Sequence, residues 1–170
     1  MNARLYRSKI SSRPLPSSEG AANCGLDPER LQPAQPHYET GLSEVTRRAG
    51  VPLLAYSPLA FGHLSGKYLN GAKPEGARMT RYPPFGQRYD KPNVMPAVAA
   101  YAELARRAGL SAAASAIALV RSRWFCASVI IGAITPAQLR ENIDTENLSL
   151  GGAVLADIDA VHLRYPNPAV

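Results

Sequence analysis

An α/β fold built on parallel strands is predicted by three features of this 170-residue sequence. Helical and strand-like segments follow one another as helix, strand, helices, strand, helices, and alternation of this kind argues for a parallel sheet. Two runs, VPLLAY at 51–56 and CASVII at 126–131, are apolar on both faces, as strands in a doubly covered sheet are. Each run leaves through a glycine-bearing loop.

The elements follow in order. Residues 1–38 are dense in Pro, Ser, Gly and Gln without lasting periodicity, and are expected to be mostly irregular. Thr40 is placed to cap a helix running through Ala49, with Leu42 and Val45 inward and Gly50 as its stop. The first strand follows over 51–56, with Pro52 tolerable only at its start. Residues 57–92 form a connection too long for a plain turn, of the kind that is functional or mobile. A helix over 93–108 turns Val98, Tyr101, Leu104 and Ala105 to one face and ends at Gly109. Ser111 caps the next, with Ile117 and Val120 inward. Gly132 breaks the second strand, and Thr135-Pro136-Ala137-Gln138 reads as a capping box opening a helix with Leu139 and Ile143 inward. Ser149 caps a last helix carrying Leu155, Ile158 and Val161 on one side.

Composition narrows the class. Hydrophobic residues make up 46% of the chain, enough for a globular core. The net charge of +6 fits an anionic ligand or an ordinary basic surface. No dense basic run, helix-turn-helix, zinc or aromatic-strand motif supports nucleic-acid binding. No run of about 18 apolar residues predicts a membrane span, and the N-terminus lacks the apolar core of a secretory signal. Cys24 and Cys126 lack metal-type spacing, so a reducing, cytoplasmic location is expected and no metal ligand is assigned.

Both strand exits have the chemistry of phosphate sites. The loop after LLAY carries Ser57, Gly62, Ser65, Gly66 and Lys67, whose small residues let backbone approach a ligand. Lys67 and Arg78 can neutralise phosphate charge. After Gly132 comes a capped helix N-terminus, whose free N–H groups attract anions.

At these residues the chain resembles the aldo-keto reductase family, in the branch of Tas-like reductases and potassium-channel β subunits. AYSPLAFGHLSGKYLNG and SVIIGAITPAQLREN look like its two cofactor motifs, and the resemblance runs over residues 39–170. It implies the C-terminal part of a (β/α)8 TIM barrel, with the two runs as strands seven and eight. It also implies NADPH-dependent reduction of a small-molecule aldehyde or ketone. By that resemblance Tyr56 stacks on the nicotinamide. Ser57, Leu59, Gly62 and Lys67 line the pyrophosphate, and Arg78 reaches the 2′-phosphate. Gly132, Gln138, Glu141 and Asn142 hold the adenosine end. Ile134 stands where the family usually places a hydroxyl for the 2′-phosphate, which bears on the choice between NADP and NAD.

The family's catalytic Asp, Tyr, Lys and His lie in the first half of the barrel, and no segment here matches their contexts. No catalytic residue is therefore assigned. His37, His63 and His162 read as surface or packing residues. The chain reads as a truncated reductase, inactive alone, whose residues 1–38 are foreign or frameshifted. Its open sheet edges offer a route to self-association. The competing reading is a non-enzymatic nucleotide- or partner-binding module using the same loops.

Overall fold

The computed structural model describes residues 27–30 and 37–169. Its centre is a three-stranded parallel sheet in the order β1 (Asp27–Arg30), β2 (Leu53–Tyr56), β3 (Cys126–Ile130). β2 and β3 are the two expected strands, parallel and directly paired. Their ladder carries one irregularity. Leu53 pairs with Cys126 but Leu54 pairs with Ser128, so Ala127 is passed over and Tyr56 comes level with Ile130. A slip of one residue would otherwise turn each side chain to the opposite face.

β1 is a regular strand within the stretch 1–38, which is expected from sequence to be mostly irregular. Its sequence, DPER, has no β-branched or aromatic residue. It is extended because the free edge of β2 offers a row of backbone partners, from Asp27 opposite Leu53 to Arg30 opposite Tyr56. Pairing context overrides the weak local preference. Pro28, which lacks an N–H, is tolerated on this outer strand of the described sheet. A second regular element reaches into that stretch at α1 (His37–Thr40). Tyr38 is buried, its ring 5.1 Å from that of Phe125, and its hydroxyl shares a 2.7 Å hydrogen bond with Thr46. Glu39 accepts a 2.6 Å hydrogen bond from Arg123, just before β3. The rest of residues 1–38 lies outside the described residues.

α2 (Leu42–Ala49) ends at Gly50 as expected, in the left-handed conformation that glycine adopts without strain. Its start is not as expected, since Thr40 ends α1 and Gly41 takes the N-cap position. Nor are Leu42 and Val45 inward. Ser43 and Thr46 are buried instead, and Val45 is 61% exposed. The Thr46 hydroxyl meets Tyr38, which turns the polar stripe of α2 toward the sheet.

The long connection is a series of short helical turns: 3₁₀ turns Ala60–Ser65 and Leu69–Gly71, α3 (Arg78–Arg81), and a 3₁₀ segment Pro83–Tyr89. Beyond it stand α4 (Val94–Arg107) and α5 (Ala112–Ser122). The expected faces are right in both: Val98, Tyr101, Leu104 and Ala105 are buried on α4, and Ile117 and Val120 on α5. Ser111 caps α5 by accepting from the Ala114 N–H at 3.0 Å. α6 (Pro136–Asp144) begins at Thr135, but Leu139 and Ile143 are not inward. Leu139 is 45% exposed, and α6 buries Asn142 instead. α7 (Gly152–Arg164) starts from Gly151 rather than Ser149, and no side chain caps it. Its inward face is as expected, with Ile158 2% exposed and Leu155 and Val161 packed on the core.

Two cores result. The larger joins Ala60 and Leu64 to α4, α5 and Ile158 of α7. The smaller lies on the sheet: Tyr38, Leu53, Ala55, Val120 and Phe125. Removing the Ile158 side chain beyond Cβ should leave a cavity in the larger core. Ile158→Ala is expected to cost about 2–5 kcal/mol in urea denaturation. Leu139→Ala, on a half-exposed face, should change stability by less than about 1 kcal/mol.

Candidate functional site

Because β2 and β3 are parallel and Tyr56 pairs with Ile130, both expected phosphate loops leave the same end of the sheet. In parallel α/β sheets, the carboxyl ends of the strands are where ligands bind.

The first loop is conformationally costly. Ser57, Ala60 and Phe61 have φ of 59°, 51° and 55°, and Gly62 follows at 93°. A bulky residue such as Phe61 rarely adopts positive φ, and each such non-glycine residue costs on the order of 1–3 kcal/mol. Burial holds the loop in place. Ala60 and Leu64 are anchored in the larger core, the Gly62 N–H donates to the Leu59 carbonyl at 2.8 Å, and the Ser65 hydroxyl donates to the Gly62 carbonyl at 2.7 Å.

Gly62 also makes room for a cation. A Cβ built there would stand 2.7 Å from Lys67 Cε and 2.9 Å from its Nζ. The ammonium therefore rests against bare backbone, and it lies 5.3 Å from the centre of the Tyr68 ring. Arg78 opens α3, with its guanidinium 5.4 Å from the centre of the Phe61 ring. The neighbouring Met79 N–H donates to the Tyr68 hydroxyl at 3.3 Å. Tyr56, Ser57 and Leu59 are half-buried. The loop thus brings Gly62, Lys67 and Arg78 together around one strained turn.

The second loop is held by its own side chains. The Thr135 hydroxyl accepts from the Gln138 N–H at 3.2 Å. The return bond of the expected capping box goes one residue earlier, with the Ile134 N–H donating to Gln138 Oε1 at 3.0 Å. Asn142, buried, donates to the Gly132 carbonyl at 3.4 Å. Glu141 accepts from the Ser111 hydroxyl and borders a groove between α5 and α6 with Leu110, Arg140 and Leu148. Gln138, Asn142 and Gly132 therefore form one cluster, whereas Glu141 faces away from it to the start of α5. Ile134 is 71% exposed at the loop's tip.

Three aromatic residues escaped the sequence reading. Tyr68 and Tyr89 flank His63, whose ring lies 5.0 Å from Tyr68 and 4.9 Å from Tyr89, and Phe61 meets Tyr89 in turn. His63 is a packing residue as expected, but an unusual one. It is 7% exposed and neither ring nitrogen has a hydrogen-bond partner among the described residues. Burial pushes its pKa below the usual 6.5, Asp90 pulls it up, and Lys67 pushes it down. The interleaving of Phe61, His63 and Tyr68 in one glycine-rich stretch was the available signal.

Comparison with known proteins gives this geometry a family. The sequence model of the Aldo/keto reductase family matches residues 30–162. The chain is 52% identical over 132 residues to the protein Tas of Escherichia coli strain K12, covering 78% of this chain and 38% of that protein. It is 33% identical over 118 residues to a protein named probable voltage-gated potassium channel subunit beta from Arabidopsis thaliana, covering 68% of this chain and 36% of that one. Among solved structures, a glycerol dehydrogenase from Gluconobacter oxydans superposes with a TM-score of 0.64 at 22% identity, over 84% of this chain and 43% of that chain. The chain belongs to the aldo/keto reductase family, in the branch that its two loop motifs indicated. It spans well under half the length of these relatives. The match begins at Arg30, at the end of β1 and inside the stretch expected to be foreign.

The Gly62 turn is open to direct test. Gly62→Ala would place a side chain at a φ that only glycine adopts freely and would displace the Lys67 ammonium. The variant is expected to lose about 1–2 kcal/mol of stability in denaturant titration, the cost of a left-handed residue.

Proposed function

We propose that this chain carries the NADP(H)-binding part of an aldo-keto reductase acting on small aldehydes or ketones. Residues 39–170 correspond in this reading to the C-terminal part of a (β/α)8 barrel, with β2 and β3 as its seventh and eighth strands. The observation that supports it best is the pair of loops at one end of a parallel ladder. One is strained around Gly62 with Lys67 and Arg78 beside it, and the other runs into the N-terminus of α6.

The residues fit the group they would hold. Gly62 presents backbone that any Cβ would cover, with an ammonium already at that spot. Ser57, Leu59, Gly62 and Lys67 would take the pyrophosphate, and Arg78 the adenosine 2′-phosphate. Gly132, Gln138, Glu141 and Asn142 would take the adenosine end, and Tyr56 would stack on the nicotinamide. When bound, the nicotinamide supplies a hydride to the carbonyl carbon. The protein's own part at this end is binding and orientation. The Asn142 amide pins the Gly132 carbonyl, and the Gln138 N–H bond to Thr135 together with the Ile134 N–H bond to Gln138 fixes the turn that begins α6. Proton donation to the carbonyl oxygen belongs to catalytic groups that no segment of this sequence matches. The 170-residue chain is accordingly expected to bind cofactor without turnover. A cytoplasmic location completes the reading. Among the described residues, no helix is long and apolar enough to cross a membrane.

Calorimetric titration of NADP⁺ against NAD⁺ tests the site. Arg78→Ala should weaken NADP⁺ binding by about 1.5–3 kcal/mol, the range for a hydrogen bond to a charged group, and leave NAD⁺ nearly untouched. Equal affinity for both cofactors, unchanged in the variant, would remove the 2′-phosphate site from this loop.

A further inference from the structure

The strained loop is closed by a circuit of six residues. The His63 ring contacts those of Tyr68 and Tyr89, at 5.0 and 4.9 Å. Tyr89 meets Phe61 edge-on at 5.4 Å, and the Arg78 guanidinium lies 5.4 Å from the centre of Phe61. The hydroxyl of Tyr68 accepts from the N–H of Met79, next to Arg78. One path from His63 ends at the guanidinium of the arginine proposed to hold phosphate, and the other at the backbone of its neighbour Met79.

We infer that His63 is a positioning residue whose neutral ring sets Arg78 for an anionic ligand and whose protonation releases it, so that phosphate binding at this loop weakens as the pH falls. The inference rests on reading the loop as a cofactor phosphate site.

The physical case begins with satisfaction. His63 is more than nine-tenths buried, and both its nitrogens lack a hydrogen-bond partner among the described residues. A neutral ring tolerates this at modest cost within an aromatic wedge. An imidazolium would bury two N–H donors and a full charge without an acceptor, which is far more costly. The charged groups acting on it are Lys67, which opposes protonation, and Asp90, which favours it. The facing titratable rings are Tyr68 and Tyr89. α4 and α5 pack against the same turn; α4 adds Tyr101 to the shared core, its phenol kept neutral by burial, and α5 adds Ala116 and Leu119. Once protonated, the ring gains most by leaving the wedge for water on the side of Asp90. Tyr68 and Tyr89 then lose their common neighbour, which loosens the two rings that touch Phe61 and the start of α3.

The sign follows from linkage. With its native pKa below the usual 6.5, His63 binds protons more readily when the loop is open. The closed loop therefore has its full stability above about pH 6.5 and loses it as the pH falls toward the lower native value. The binding-competent fraction, and apparent affinity with it, drops in the same window.

The test uses the full chain and NADP⁺ as probe, titrated at pH 7.5 and 5.5 in the wild type and in His63→Phe, which keeps a flat ring but cannot titrate. A 2′-phosphate itself titrates near pH 6, so the decisive quantity is the ratio between the two proteins. Wild type is expected to lose about fivefold more affinity than His63→Phe over this span. Equal losses overturn the proposal. Imidazole NMR of the wild type provides a second measurement that needs neither ligand nor a folded variant. The His63 midpoint should fall below 6.5, and the Arg78 Nε–H resonance should shift with the same midpoint. An Arg78 signal indifferent to His63 also overturns it. Failure of NADP⁺ to bind either protein at either pH would instead defeat the cofactor reading, and the Arg78 response would still decide the coupling.

Discussion

The parallel ladder between β2 and β3 is the constraint from which the other features follow. Parallel strands cannot be joined by a tight turn, so the chain between Tyr56 and Cys126 must cross over the sheet. That crossover is α4 and α5, and their buried faces make the larger core. Pairing in the same direction also brings both strand exits to one end. The skipped Ala127 brings Tyr56 level with Ile130, so the two loops begin side by side. An antiparallel pair would have put them at opposite ends and left no shared site.

The turn after β2 shows how such a site is maintained. Three non-glycine residues at positive φ within five positions would not persist in a free peptide. They persist here because Ala60 and Leu64 belong to the core that α4 and α5 build. Strain at the loop and burial beneath it are two ends of one arrangement. The same burial places His63 among aromatic rings without a hydrogen-bond partner among the described residues.

The outward faces carry a second lesson. Leu42, Val45, Leu139, Ile143 and Ile130 are large apolar side chains that remain exposed among the described residues. Helical periodicity marked the first four as inward. α2 and α6 instead bury the polar Ser43, Thr46 and Asn142, which find partners in the Glu39 carbonyl, Tyr38 and the Gly132 carbonyl. The relatives are more than twice as long as the matched segment, so in them further chain is available to pack beside such stripes.

What the sequence determined by itself is local. The caps at Ser111 and Thr135, the stops at Gly50 and Gly109, the apolar runs of β2 and β3 and the buried faces of α4, α5 and α7 all depend on neighbours within a few residues. The two loop motifs were legible for the same reason, since glycine, lysine and a capped helix start are short-range signals. Tertiary structure alone decided the rest. DPER became a strand because β2 had a free edge, a fact no property of those four residues carries. Tyr38 was buried because Phe125, far along the chain, lay beside it. Gln138, Glu141 and Asn142 were seen as ligand contacts in sequence, but their present partners are set by which loop folds against which helix. The His63 circuit joins residues 61 to 89 through ring contacts that require the whole connection to be folded first. Local preference is read from composition and spacing, whereas the choice between facing water, a core or another ring is made only when distant segments meet.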